Sequence, residues 1–124
     1  MMRVLLPILA ATVWILLNEF VRNQLVLIDH WTEHYASMGL VFPGEPINGA
    51  VWGIWSLCFA TAIFFLARRS GLLETGALAW GVGFVLMWLV IGNMAVLPFS
   101  ILPYAIPWSL AEAFGAAWIV KKLA

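Results

Sequence analysis

Residues 47–67 and 75–97 carry no charged side chain, and only the stretch 68–74, with Arg68, Arg69 and Glu74, stands between them. Each run is long enough to cross a hydrocarbon core roughly 30 Å thick, which takes about 20 mostly apolar residues as a helix. Lipid offers no hydrogen bonds to exposed backbone, so a spanning segment must satisfy its own N–H and C=O groups, and a helix does this within one segment. Two such runs joined by a few residues predict a membrane hairpin. The composition extends the argument to the rest of the chain: 65% of residues are hydrophobic, well above the roughly half found in soluble domains. The 124 residues leave room for four crossings with short connections and none for a separate soluble domain. The expectation is a single all-α membrane domain over residues 1–124. It would be a four-transmembrane-helix bundle with spans near 4–26, 47–67, 75–97 and 101–120, a long first helix and a proline-broken start to the fourth.

The first and fourth spans are less regular. Met1, Met2 and Arg3 followed by an apolar run have the outline of a signal peptide, but Asn18, Glu19 and Arg22 stand where a small-residue cleavage site would be. That predicts an uncleaved first span. Continued to Ala36, the first helix would be about 50 Å long, so its outer end must project or bend along the surface. Pro98, Pro103 and Pro107 each remove a backbone donor. A helix over 107–120 would cover only about 21 Å, so part of 98–106 is expected at membrane depth as a pocket wall.

Arg3, Arg68, Arg69, Lys121 and Lys122 all fall on one side of a four-span chain. The positive-inside rule then sets both termini and the 68–69 turn in the cytoplasm and the loop 35–46 outside, with a bacterial inner membrane as the expected setting. Trp31, Trp52, Trp55 and Trp108 would form an outer aromatic belt, while Trp14 and Trp88 would pack deeper. The lipid bilayer is the first partner. Zero net charge and scattered basic residues exclude a nucleic-acid-binding face.

Asn18, Glu19, Arg22, Asn23, Asp29, His30, Glu33 and His34 recur at helical spacings and make one polar stripe. Glu19 and Arg22, one turn apart, are expected to pair. By helix rise Glu19 lies about 24 Å from Arg3, towards the outer edge of the core, and Asn48 and Asn93 lie near the same boundary. Glu112 lies only about 13 Å from the inner end at Lys121, which makes it the deepest charge. An ionised carboxylate there costs at least a few kcal/mol, so Glu112 is expected to face the bundle and to be neutralised, paired or hydrated.

His30-Trp31-Thr32-Glu33-His34 matches H-x-x-E-H, a pattern in which two histidines one turn apart hold zinc and the glutamate activates water. No downstream carboxylate ligand accompanies it, since the expected depth of Glu112 separates it from these histidines. Gly49 with Gly53, and Ala111 with Gly115, are small-residue pairs suited to helix contact within the bundle or in a homodimer. The lone Cys58 reads as a small apolar packing residue.

The function expected from these residues is non-enzymatic. It is binding or transport of a small solute or ion through an outward-opening polar pocket between the first, third and fourth spans, with Glu112, Glu19, Arg22 and Asn93 as the binding residues. Two alternatives use the same residues: an accessory or structural subunit of a larger membrane complex, and a metal-binding membrane enzyme built on His30, Glu33 and His34. No cofactor is expected, apart from a metal ion in that last case.

Overall fold

The structure, a computed structural model, describes residues Met1–Ala124 and is helical throughout, with no strands. Helix α1, Met2–Phe20, runs on through a π-helical segment, Val21–Val26, so that helical backbone continues unbroken for 25 residues. Leu27, at φ −103° and ψ 9°, ends it, and the short α2, Ile28–Ser37, sets off from there. The long first helix is therefore divided. Leu27 is drawn into a small apolar cluster with Leu97, Ile101 and Ala105, and that burial bends the chain.

Helix α3, Pro46–Ala67, starts with a proline, where a missing N–H leaves nothing unpaired. Glu45 is its N-cap residue and donates its backbone N–H to Asn48 Oδ1 at 2.9 Å, so Asn48 closes the first turn from inside the helix. Helices α4, Leu72–Trp80, and α5, Leu86–Asn93, are joined by a π-helical segment, Gly81–Val85, into one rod of 22 residues. This rod stops before the expected 97. Ala95 adopts φ 63° and Leu97 turns inward to the Leu27 cluster.

A 3-10 turn, Phe99–Ile101, leads into α6, Leu102–Leu123. At 22 residues α6 is about 33 Å long, against the 21 Å expected from Pro107 onward. Pro103 occupies the first turn, where no donor is needed, and Pro107 removes only the bond to the carbonyl of Pro103. The prolines therefore shape the start of this helix without shortening it.

Three helical rods, Met2–Val26, Pro46–Ala67 and Leu72–Asn93, are long and apolar enough to cross a membrane. Helix α6 matches them in length, but Tyr104, Pro107, Ser109 and Glu112 interrupt its apolar sequence. It packs against α1, α3 and α4. The shared core is built of small and branched side chains, among them Ala11 and Ile15 of α1, Ala60 and Ile63 of α3, and Ala113, Ala116 and Ala117 of α6. Small residues let helices approach closely. Gly115 lies directly under the Trp14 ring and Gly83 under Phe59, whereas a Cβ on Gly49 or Gly53 would meet nothing within 4 Å. Of the two small-residue pairs, only the one containing Gly115 thus makes a close contact within the chain. Lys121 Nζ donates to the carbonyls of Ala67 and Ser70, tying the end of α6 to the α3–α4 turn. The outer faces carry exposed Leu9, Val13, Leu17, Ile54, Phe65, Leu73 and Leu89, an apolar exterior compatible with membrane insertion.

Candidate functional site

The polar stripe of the first helix turns inward where α1 passes into its π segment. Arg22, 4% exposed, donates from Nη2 to Glu19 Oε1 at 2.7 Å and from Nη1 to Glu112 Oε1 at 2.8 Å. Glu112 is wholly buried. Asn23 Nδ2 donates to the other oxygen of Glu19 at 3.0 Å, while Glu112 Oε2 has no hydrogen-bond partner. The expected Glu19–Arg22 pair forms, and Glu112 joins it.

Counting helix rise had separated Glu112 from Arg22. Two indole hydrogen bonds set the register between the helices: Trp14 Nε1 donates to Glu112 O and Trp108 Nε1 to Asn18 Oδ1, both at 2.9 Å. The backbone of Glu112 is therefore level with Trp14, two turns before Arg22. Helical side chains lean towards their own N-terminus, and α1 and α6 run antiparallel, so Arg22 and Glu112 lean towards one another and close the gap. Trp14, expected only as packing, is a polar anchor for this register.

Arg22 and Glu19 also face a cavity of about 430 Å³. Trp52 and Trp55 of α3, Phe84 of the second π segment and Trp88 of α5 wall it, and Trp31, Tyr35 and Phe42 cover it. The Arg22 guanidinium carbon lies 5.6 Å from the Phe84 ring centroid. Phe42 stacks on Trp31, centroids 5.3 Å apart, and meets Tyr35 edge-on at 5.1 Å, so the 38–45 connection is pinned over the cavity by aromatic contacts. Trp31 Nε1 donates to Asn23 Oδ1 at 3.1 Å, linking this cover to the ion cluster. A second cavity, of about 300 Å³, adjoins it and shares Glu19, Asn23, Asn48 and Trp52.

The cavity differs from the expected pocket in its walls. Helix α3 supplies two indoles, and the lining is mainly apolar rather than polar, with seven aromatic side chains among its 19 residues. Ile101 and Ala105, from the 98–106 stretch, do line it. Asn93 does not: it is exposed at the end of α5, beside Ile91 and Val96, which line the cavity in its place.

His30 Nδ1 lies 2.8 Å from Ser100 Oγ, and His34 Nε2 donates to Ala95 O at 2.7 Å, while Glu33 is exposed. These contacts hold α2 against the 94–101 connection. No group of three or more His, Cys, Asp or Glu side chains is assembled that could hold a metal ion.

The charges in the cluster do not balance. Two carboxylates face one guanidinium, which leaves one negative charge in excess when all three are ionised. Burial makes an uncompensated charge expensive, so the cluster requires one further positive charge or one proton. Comparison of the chain with protein-family models, with curated proteins and with solved structures finds no match.

Proposed function

We propose that the chain crosses the membrane four times, with both termini and the Arg68–Arg69 turn in the cytoplasm, and that it binds and transports a small solute held in the aromatic cavity. The observation that carries this reading is the buried Arg22–Glu19–Glu112 cluster placed against that cavity, with Glu112 Oε2 unpartnered. Ionisable groups are rare inside membranes and mark solute and ion pathways. A helix clamp alone would need neither the excess carboxylate nor a cavity beside it. The polar groups of the cluster are turned into the protein, which supports this reading over that of an accessory subunit pairing them with a larger partner.

For a solute to enter, the cover must open: α2, which bends at Leu27, would give up the His30 and His34 contacts, and Phe42 would leave its stack on Trp31. The opposite end of the molecule is sealed by alanine-rich packing and by Lys121.

Transport is tested in proteoliposomes offered a panel of small aromatic solutes of positive, zero and negative charge. Faster equilibration of at least one solute than in protein-free vesicles, lost in Glu112→Gln, is the expected result. Vesicles as tight as empty ones to the whole panel would contradict transport.

A further inference from the structure

We propose that the aromatic cavity selects a monovalent organic cation with an aromatic or branched apolar body, and that its binding displaces one proton from the Arg22–Glu19–Glu112 cluster. This rests on the solute-binding reading above and adds the chemical class of the solute and what it exchanges with.

Charge is the first argument. The cluster is one positive charge short, and Glu19, 5% exposed, presents that shortage to the cavity. Both terminal nitrogens of Arg22 are already committed to carboxylates, so an anion would have to displace one of them and would add a third negative charge to the group. No lysine, histidine or second arginine lines the cavity.

The walls are the second argument. Trp31, Trp52, Trp55 and Trp88 contribute indole rings, whose faces attract cations more strongly than those of other aromatic side chains. One cation already lies over an aromatic face of the lining, the guanidinium of Arg22 over the phenyl ring of Phe84. The volume of about 430 Å³ falls within the range of roughly 300–1,000 Å³ that small-molecule sites occupy.

The exchange conserves charge. When a cation enters, the proton passes to water and both carboxylates are ionised; when it leaves, a proton returns to the cluster. No covalent bond other than O–H is made or broken. Helices α3, α4 and α5 present no charged or titratable side chain to the cluster, and α6 presents only Glu112. Tyr35 of α2, at the top of the cavity, is the remaining titratable lining residue.

The test uses phenyltrimethylammonium, its neutral isostere tert-butylbenzene and the anion benzenesulfonate. Each is titrated calorimetrically into the full chain in lipid nanodiscs, with empty nanodiscs subtracting partition into lipid. The cation should bind at least about tenfold more tightly than either comparator, which is ~1.4 kcal/mol. It should also release about one proton in weak buffer at the pH where the cluster is protonated. Glu19→Gln should erase most of the preference, and Glu112→Gln should abolish the proton release. The wild-type ligand series needs neither variant to fold.

Equal affinity for the cation and its isostere would overturn charge selection and leave solute binding standing. Cation binding without proton release at any pH would overturn the exchange. Failure of all three compounds to bind would overturn both this inference and the solute-binding reading.

Discussion

Arg22 is the residue on which the cluster depends, because it is the one cation between two buried carboxylates. Replacing it with Met leaves two acids facing each other without a counter-charge, and the expected loss is about 3–5 kcal/mol of stability, read from unfolding in mixed micelles. Arg22→Lys should recover only part of this, since an ammonium lacks the fork that reaches Glu19 and Glu112 together. Trp14→Phe keeps an aromatic side chain but removes the donor to Glu112 O and the indole atoms packed on Gly115, for an expected loss of about 0.5–1.5 kcal/mol from the hydrogen bond and more from the vacated contact. The Glu19–Arg22 contact was legible in the sequence because a three-residue spacing on a helix is a neighbour relation. The participation of Glu112 was not. Helix rise gives only the height of a backbone atom, whereas the contact depends on the register set by Trp14 and Trp108 and on the opposite lean of side chains on antiparallel helices.

At the scale of elements, the small-residue pairs separate clearly. A methyl group on Gly115 would stand 2.6 Å from the Trp14 ring, so Gly115→Ala should lose roughly 1–3 kcal/mol through overpacking and disturb the Trp14–Glu112 bond. Gly49→Ala meets nothing and replaces a poor helix former in α3 with a good one, so it should leave monomer stability unchanged or raise it by up to about 1 kcal/mol in the same unfolding measurement. The sequence offered both pairs on equal terms, because the motif states which residues permit close approach and not which helix arrives. The prolines misled for a related reason. Pro103 and Pro107 lie near the start of α6, where missing donors do little damage, so α6 keeps its 22 residues. The cover was only partly visible. The loop 35–46 was expected outside, but its folding back over the cavity was not, since the stacking of Phe42 on Trp31 required α2 to bend at Leu27. His34→Ala removes one tie between α2 and Ala95 O, and amide hydrogen exchange along α2 should speed up while α3 and α6 stay protected.

For the whole molecule, the apolar runs made helical membrane spans legible from the outset, and three rods meet the requirement by length and composition. The fourth crossing is a proposal resting on the length of α6 and its packing against α1, α3 and α4. Single cysteines introduced at Ser70 and Ala124, in a chain carrying Cys58→Ala, should react with an impermeant thiol reagent only from the cytoplasmic side, and one at Gly44 only from the other. Labelling of Ser70 and Gly44 positions from the same side would contradict the proposed topology. What the sequence could not provide was the aromatic cavity, since its rings come from α2, α3, the second π segment, α5 and the 38–45 connection and converge only in the folded chain. The central claim is that the buried cluster answers to the cavity's occupant rather than merely clamping helices. It is tested most directly by infrared difference spectroscopy of the protein in lipid on addition of phenyltrimethylammonium. The account predicts loss of a protonated-carboxyl band and gain of carboxylate, both absent in Glu112→Gln; carboxyl bands unmoved by saturating ligand would contradict it and make the cluster a structural clamp.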